Sequence, residues 1–204
     1  MIQNIVFDMG NVLIRYKVKE YVHQHVAPGP DAEILLHEVF GSVEWLQLDR
    51  GTLDPEQAIT QIRKRLPTRL HPVAQQFVLN WHSNVPLYPE MEELIRQLKQ
   101  KGYGIYLLSN TSKMFHTFSK QITALQYFDG QFISADCGLL KPDPAIYRAF
   151  CRQFGLDITT CFFIDDVTAN IESAIHEGMQ GFVFRGNMPA LKTALQNSGV
   201  SLLN

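Results

Sequence analysis

Hydrophobic positions along this chain fall into two rhythms. Short apolar runs occur at Ile5-Val6-Phe7, Ile105-Tyr106-Leu107-Leu108, Gln131-Phe132-Ile133 and Cys161-Phe162-Phe163-Ile164, and Phe182-Val183-Phe184 follows Gly181. Each is rich in β-branched or aromatic residues and short enough to be a buried strand. Between them the apolar spacing turns helical. Leu94, Ile95 and Leu98 share one face of a helix that ends near Gly102. Asp143 caps a helix with Pro144 in its first turn, and Gly155 closes it. Ile171, Ala174 and Ile175 mark another helix, ending at Gly178. Strands alternating with helices from residue 87 onward predict an α/β fold with a parallel sheet covered by helices.

Residues 15–86 break this rhythm. Helical spacing runs through Lys17–Ala27, Asp31–Leu48, Pro55–Leu66 and Pro72–Asn84, with no strand-like run between. Asp54 is placed to cap the third of these, with Pro55 in the first turn and Gln57 at the capping-box position. The expected organisation is an α/β core of residues 1–14 and 87–204, with an all-helical insertion at 15–86.

Composition narrows the functional classes. Eighteen Lys and Arg against twenty Asp and Glu give a net charge of −2, so no basic surplus points to nucleic acid or an anionic membrane. Three cysteines, Cys137, Cys151 and Cys161, form no Cys-x-x-Cys pair and read as reduced thiols. No signal-peptide pattern opens the chain and no apolar stretch approaches the roughly 20 residues that span a bilayer. A soluble cytoplasmic protein is expected, as a monomer or homodimer.

In an open parallel sheet, ligands bind beyond the carboxyl ends of the strands. Those ends deliver Asp8-Met9-Gly10-Asn11, then Ser109-Asn110-Thr111, then Ser134 and Asp136 with Lys141-Pro142-Asp143-Pro144 beyond them, then Asp165-Asp166. Asp8, Asp165 and Asp166 crowded together would resist ionisation, a conflict that a hard cation such as Mg²⁺ removes. Such a cation also assists a carboxylate in approaching a phosphate dianion. Ser109, a backbone N–H near Asn110, and Lys141 are then candidates to donate to phosphate oxygens.

These four segments, in this order, resemble the motifs of the haloacid dehalogenase superfamily, in the subfamily with a helical cap after the first motif. The resemblance implies a Rossmann-like core and a Mg²⁺-dependent hydrolase acting on a small phosphorylated metabolite, with a sugar phosphate among the candidates. It assigns Asp8 as nucleophile, Lys141 as both a catalytic and a phosphate-binding residue, and Ser109 and Asn110 as further phosphate-binding positions. Asp165 and Asp166 become the metal-binding pair, with Asp8 and the Gly10 carbonyl as further ligands. Most phosphatases of the family carry a second aspartate two residues after the nucleophile, as general acid and later base. Here that position is Gly10. The Asp-x-Gly-Asn-Val form is similar to a branch that includes bacterial hexose-1-phosphate phosphatases. The missing acid predicts a preference for phosphate esters with acidic leaving groups.

Two rivals stand beside this reading. A hydrolytic dehalogenase needs no proton donor for its leaving halide, but gives the acidic pair no task. A phosphate-metabolite binder that lost activity with the second aspartate is the other. Several residues have plainer readings. Ser109-Asn110-Thr111 can cap a helix, and Asp165-Asp166 can cap the helix that follows. His23 and His25, two apart on a helix, point to different faces and should not share a metal. Phe40 and Trp45 read as core of the helical insertion, Phe182 and Phe184 as core of the sheet. Asp49-Arg50-Gly51 reads as a helix end, with Arg50 a possible neighbour of the site.

Overall fold

The computed structural model describes residues 1–83 and 85–202. Five parallel strands, β1 (Asn4–Phe7), β2 (Gly104–Ser109), β3 (Gly130–Ile133), β4 (Cys161–Asp165) and β5 (Gln180–Val183), pair in the order β3-β2-β1-β4-β5. β1 lies at the centre and is buried along its whole length. Its residues alternate between two hydrophobic layers, which is why it reads as a continuous apolar run rather than an alternating one. Ile5 and Phe7 join the layer that holds Met91, Leu94, Ile95, Leu98, Leu191 and Leu195. Val6 joins Ile146, Tyr147, Phe150, Ile171 and Ala174 on the opposite face.

The helices follow the chain as α1 (Val18–His25), α2 (Pro30–Leu35), α3 (Val43–Arg50), α4 (Pro55–Arg63), α5 (His71–Asn80), α6 (Pro89–Gln100), α7 (Phe115–Phe118), α8 (Ser134–Cys137), α9 (Pro144–Phe154), α10 (Thr168–His176) and α11 (Met188–Asn197). Helices α6 and α11 contribute to one face of the sheet, α9 and α10 to the other. The capping expected from sequence is present where the chemistry is local. The Asp54 carboxylate accepts from the Gln57 N–H at 2.8 Å and the Asp143 carboxylate from the Ala145 N–H at 2.9 Å. Gly155 ends α9 in the left-handed conformation at φ 66°.

Helices α1 to α5 enclose a separate cluster built on Val22, Leu35, Val39, Leu48, Ile62, Leu70 and Phe77. The helix expected over Asp31–Leu48 is broken. A π-helical turn at Leu36–Phe40 follows α2, and α3 then restarts with Ser42 as its cap, whose hydroxyl oxygen accepts from the Trp45 N–H at 3.1 Å. Serine at this position offers the backbone an alternative partner, which ends one helix and begins the next. The last helix of the segment stops at Asn80, and the expected terminus at Asn84 lies outside the described residues. In α10, Ile171 and Ala174 are buried while Ile175 is 51% exposed, so the apolar face is narrower than its spacing implied. The chain leaves and re-enters the sheet side by side. The Arg15 N–H donates to the Pro86 carbonyl at 2.7 Å and the Tyr88 N–H to the Leu13 carbonyl at 3.0 Å. No helix among the described residues is long and apolar enough to cross a membrane.

Candidate active site

Parallel register brings the site together. Phe7 of β1 lies opposite Leu107 of β2 and Ile164 of β4. One residue further along each strand stand Leu108, Asp8 and Asp165, at the same level on three adjacent strands. Lys141 inserts its ammonium among them. Its Nζ donates to Asp8 Oδ1 at 2.7 Å, Asp165 Oδ2 at 2.6 Å and the Leu108 carbonyl at 2.9 Å. An ammonium has three protons, and these three acceptors use all of them. The Phe163 ring centroid lies 5.1 Å from the same nitrogen. Burial pulls the Lys141 pKa down, but the charges of Asp165 and Asp8 outweigh it and hold the lysine above its ordinary value.

Asn110 holds the lysine from outside the cluster. Its side-chain amide donates to the Lys141 carbonyl and accepts from the Lys141 N–H, both at 2.9 Å. Asn110 is therefore committed to the backbone that delivers Lys141, and Lys141 to the carboxylates. Ser109 is buried at the end of β2 and does not line the cavity. Nor does this segment cap a helix by a side chain, since α7 begins only at Phe115.

The acidic pair is divided. Asp165 is fully buried, and besides Lys141 it accepts from the Val167 N–H at 2.7 Å and from Asn170 Nδ2 at 3.0 Å. Neither contact caps α10, which begins at Thr168 after Val167 with no side-chain cap. Asp166 faces a cavity of about 220 Å³ that Asp8, Gly10, Asn11, Tyr16, Trp45, Asp49, Asn110 and Lys141 also line. Burial raises the Asp166 pKa, and the hydrogen bond from Asn11 Nδ2 at 2.9 Å opposes that rise. Asn11 adopts φ 53°, a left-handed conformation that asparagine tolerates, and so turns its amide into the site. Burial, opposed by Lys141 and reinforced by Asp165, pushes Asp8 up to about 7.

A cation fits this donor set. Asp8, Asp165 and Asp166 each place a carboxylate oxygen within 4.8 Å of the others. The buried Asn11 Oδ1 beside them has no hydrogen-bond partner. With no sulfur or imidazole among them, such ligands suit a hard divalent ion. His23 and His25 do not belong to this cluster.

Residues 15–86 also reach the site, in a way their sequence did not show. Trp45 lines the cavity as well as packing on Phe40 at a ring-centroid distance of 4.6 Å. At the end of α3 it is Asp49, not the exposed Arg50, that lines the cavity. Burial, and then the charge of Asp8, push the Asp49 carboxyl up to about 7. Two contacts fix this turn on the core. The fully buried Ser134 hydroxyl donates to the Asp49 carbonyl at 2.5 Å while accepting from the Thr111 N–H at 2.9 Å. Gly51, at φ 75°, lies so close to Ala135 that a Cβ would collide with its backbone carbonyl. Gly51→Ala should therefore lift the end of α3 off the core. The left-handed backbone alone costs about 1–2 kcal/mol for a non-glycine residue. With the overlap added, the midpoint of thermal unfolding should fall by roughly 5 °C. An unchanged midpoint would show that this contact does not hold the turn.

Comparison with known proteins agrees with this geometry. A family model for haloacid dehalogenase-like hydrolases matches residues 2–178. The chain is 28% identical to the sesquiterpene phosphatase astK of Aspergillus oryzae over 86% of each protein. It is 27% identical to a D-ribitol-5-phosphate phosphatase of Bacteroides thetaiotaomicron, over 89% of this chain and 91% of that one. Several further relatives are longer than this chain, which spans 34% of one and 63% of another. In fold it resembles a HAD family enzyme from Bacteroides thetaiotaomicron, solved with magnesium and inorganic phosphate. There the TM-score is 0.69 at 24% identity, covering 94% of this chain and 99% of that one. A match that runs from before the first strand to the end of α10 takes in every strand end that builds the site, and the chain belongs to the haloacid dehalogenase-like hydrolase family.

Proposed function

We propose that this hydrolase is a magnesium-dependent phosphatase that cleaves a small phosphorylated metabolite by transient phosphorylation of Asp8. The observation that carries the reading is a single buried carboxylate at the cavity floor, held by Lys141 and flanked by two further acids. Two relatives with phosphatase names support the phosphoryl chemistry, and a structural relative holds magnesium and phosphate.

In this reading Asp8 attacks phosphorus and Lys141 fixes the carboxylate by its hydrogen bond to Oδ1. Asp165 and Asn110 act through Lys141, one by charge and the other by holding its backbone. Asp8, Asp166 and the Gly10 carbonyl would hold Mg²⁺, with Asp165 behind them. Bound there, the cation would neutralise the crowded carboxylates and the phosphate oxygens. Asn11 orients Asp166. A cavity of about 220 Å³ accommodates a phosphoryl group with a small organic part. We further assign residues 15–86 the role of a cap that keeps bulk water from the phosphorylated aspartate and selects the substrate. A sugar phosphate fits that volume, and the substrate is to be identified by screening.

The test is turnover of a panel of phosphate monoesters, with and without magnesium. Activity should fall to background in excess chelator and return with Mg²⁺. Ca²⁺ should inhibit, because its larger and looser coordination misplaces nucleophile and phosphate. Turnover unaffected by chelation would remove the metal-dependent reading and favour a dehalogenase.

A further inference from the structure

Position 10 carries no acid, and the structure shows that glycine is not forced there. Gly10 has no positive φ, and a Cβ on it would meet Tyr16 Cβ at 3.7 Å and Asp8 Oδ2 at 3.8 Å, which is ordinary contact. The ester oxygen that departs from phosphorus still needs a proton. Among the described residues lining the cavity, the ionisable side chains are Asp8, Tyr16, Asp49, Lys141 and Asp166. Asp8 is the attacking group. Lys141 has all three protons on protein oxygens. Asp166 belongs to the acidic cluster and already accepts from Asn11. Tyr16 is a phenol that burial, and then Asp49 and Tyr21, make still harder to ionise.

We infer that Asp49, carried into the cavity by the end of α3, is the general acid and base of the reaction. The inference rests on the phosphatase reading above. Its support is position. Asp8 comes from the sheet and Asp49 from the helical segment that covers it, so the two carboxyls reach the cavity from separate layers. Asp49 is also held where it stands. Ser134 bonds its carbonyl, and two residues on, Gly51 lies against the Ala135 backbone. A turn tethered at this residue's own carbonyl and again two residues on holds the carboxyl in place, as proton transfer requires. Its burial adds to the fit by favouring the protonated form that can donate.

The two half-reactions balance. As an Asp8 oxygen bonds to phosphorus, the bond from phosphorus to the ester oxygen breaks and its electron pair moves to that oxygen. The oxygen takes the Asp49 proton and leaves as the alcohol. Asp49, now a carboxylate, accepts a proton from the water whose oxygen next attacks phosphorus. The acyl phosphate bond breaks, freeing the Asp8 carboxylate and inorganic phosphate, and Asp49 is again protonated. The leaving-group preference expected from Gly10 is therefore replaced by tolerance of poor leaving groups.

The experiment compares wild type, Asp49→Asn and Asp49→Glu with Mg²⁺ on substituted phenyl phosphates of graded leaving-group acidity, under single-turnover conditions that isolate the first step. Wild-type rates should depend weakly on leaving-group acidity. Asp49→Asn should lose about 10²–10⁴-fold on the least acidic leaving group and far less on 4-nitrophenyl phosphate, a steepened dependence. Its KM should stay close to wild type, and Asp49→Glu should recover part of the rate. Thermal unfolding of Asp49→Asn at pH 8 should be no lower than wild type, since a neutral amide replaces a carboxylate whose charge is disfavoured by burial and by Asp8. Equal losses across the series, or none, would overturn the role of Asp49 while leaving the phosphatase reading intact. Wild-type protein inactive on every ester with Mg²⁺ would remove that reading, and this inference with it.

Discussion

Asp8→Asn should lower turnover on the order of 10⁴-fold or more, the size of loss that follows removal of a covalent nucleophile. The amide cannot attack phosphorus, yet it matches the carboxylate in shape and its oxygen can still accept the Lys141 hydrogen bond that Asp8 Oδ1 accepts at 2.7 Å. The fold should survive. At the start Asp8 and Asp165 share one ammonium, with Asp8 pushed up to about 7 by burial and by its acidic neighbour. The variant leaves Lys141 with Asp165 as a matched pair of opposite charges. The midpoint of thermal unfolding should therefore be equal to or above that of wild type at pH 8, while steady-state turnover collapses. A variant keeping a tenth of the wild-type rate would exclude phosphorylation of Asp8.

Lys141→Met should be the costliest single change for stability. It deletes three hydrogen bonds at once and leaves Asp8 and Asp165 buried without their shared cation. Removing one partner from a buried ion cluster costs about 3–5 kcal/mol, because the remaining charges cannot be resolvated. For a chain of this size that corresponds to a fall of roughly 10 °C in the unfolding midpoint. The deficit should depend on pH in a defined direction. Lys141 lowers the Asp8 pKa, so without the ammonium the folded-state value rises further above its unfolded one than in wild type, and the folded variant holds its proton to higher pH. The stability gap between variant and wild type then opens as pH rises through the wild-type Asp8 value of about 7 towards the variant's higher one. The gap to wild type should be widest at pH 8 and narrow towards pH 5. Thermal unfolding across that range measures it, and a gap that widened on acidification would contradict the arrangement of charges described here. Turnover should be lost as well, since nothing then fixes Asp8.

Together the two variants separate chemistry from scaffold. In the proposed mechanism Asp8→Asn removes the reacting atom and keeps the frame, whereas Lys141→Met keeps the reacting atom and releases the frame. Asn110 belongs with Lys141 in this division. Its amide never needs to touch a ligand to matter, because it fixes the strand-to-helix turn from which the lysine reaches the sheet.

Sequence by itself determined the sheet and the end of it that matters. Strands buried on both faces must be apolar throughout, so β1 and β4 stand out as runs. Parallel connections put all their carboxyl ends on one edge, so Asp8, Ser109-Asn110, Lys141 and Asp165-Asp166 had to gather there. Helix caps such as Asp54 and Asp143 were legible because each is settled within three residues of chain. What tertiary structure decided is which of the gathered groups face the cavity and which face one another. Register set Leu108, Asp8 and Asp165 level, and so turned Lys141 toward the strands. The same packing buried Ser109, set Asn110 on the Lys141 backbone, and divided an acidic pair into a fully buried Asp165 held by Lys141 and a cavity-lining Asp166. Asp49 was hidden for the deepest physical reason. On its own helix it is an ordinary carboxyl beside a glycine terminus. Its place in the site depends on how the helical segment docks on the core, through Ser134, 85 residues away, and through the close approach of Gly51 to Ala135. Local spacing carries the period of an element and its caps, but not the direction in which one element meets another far along the chain.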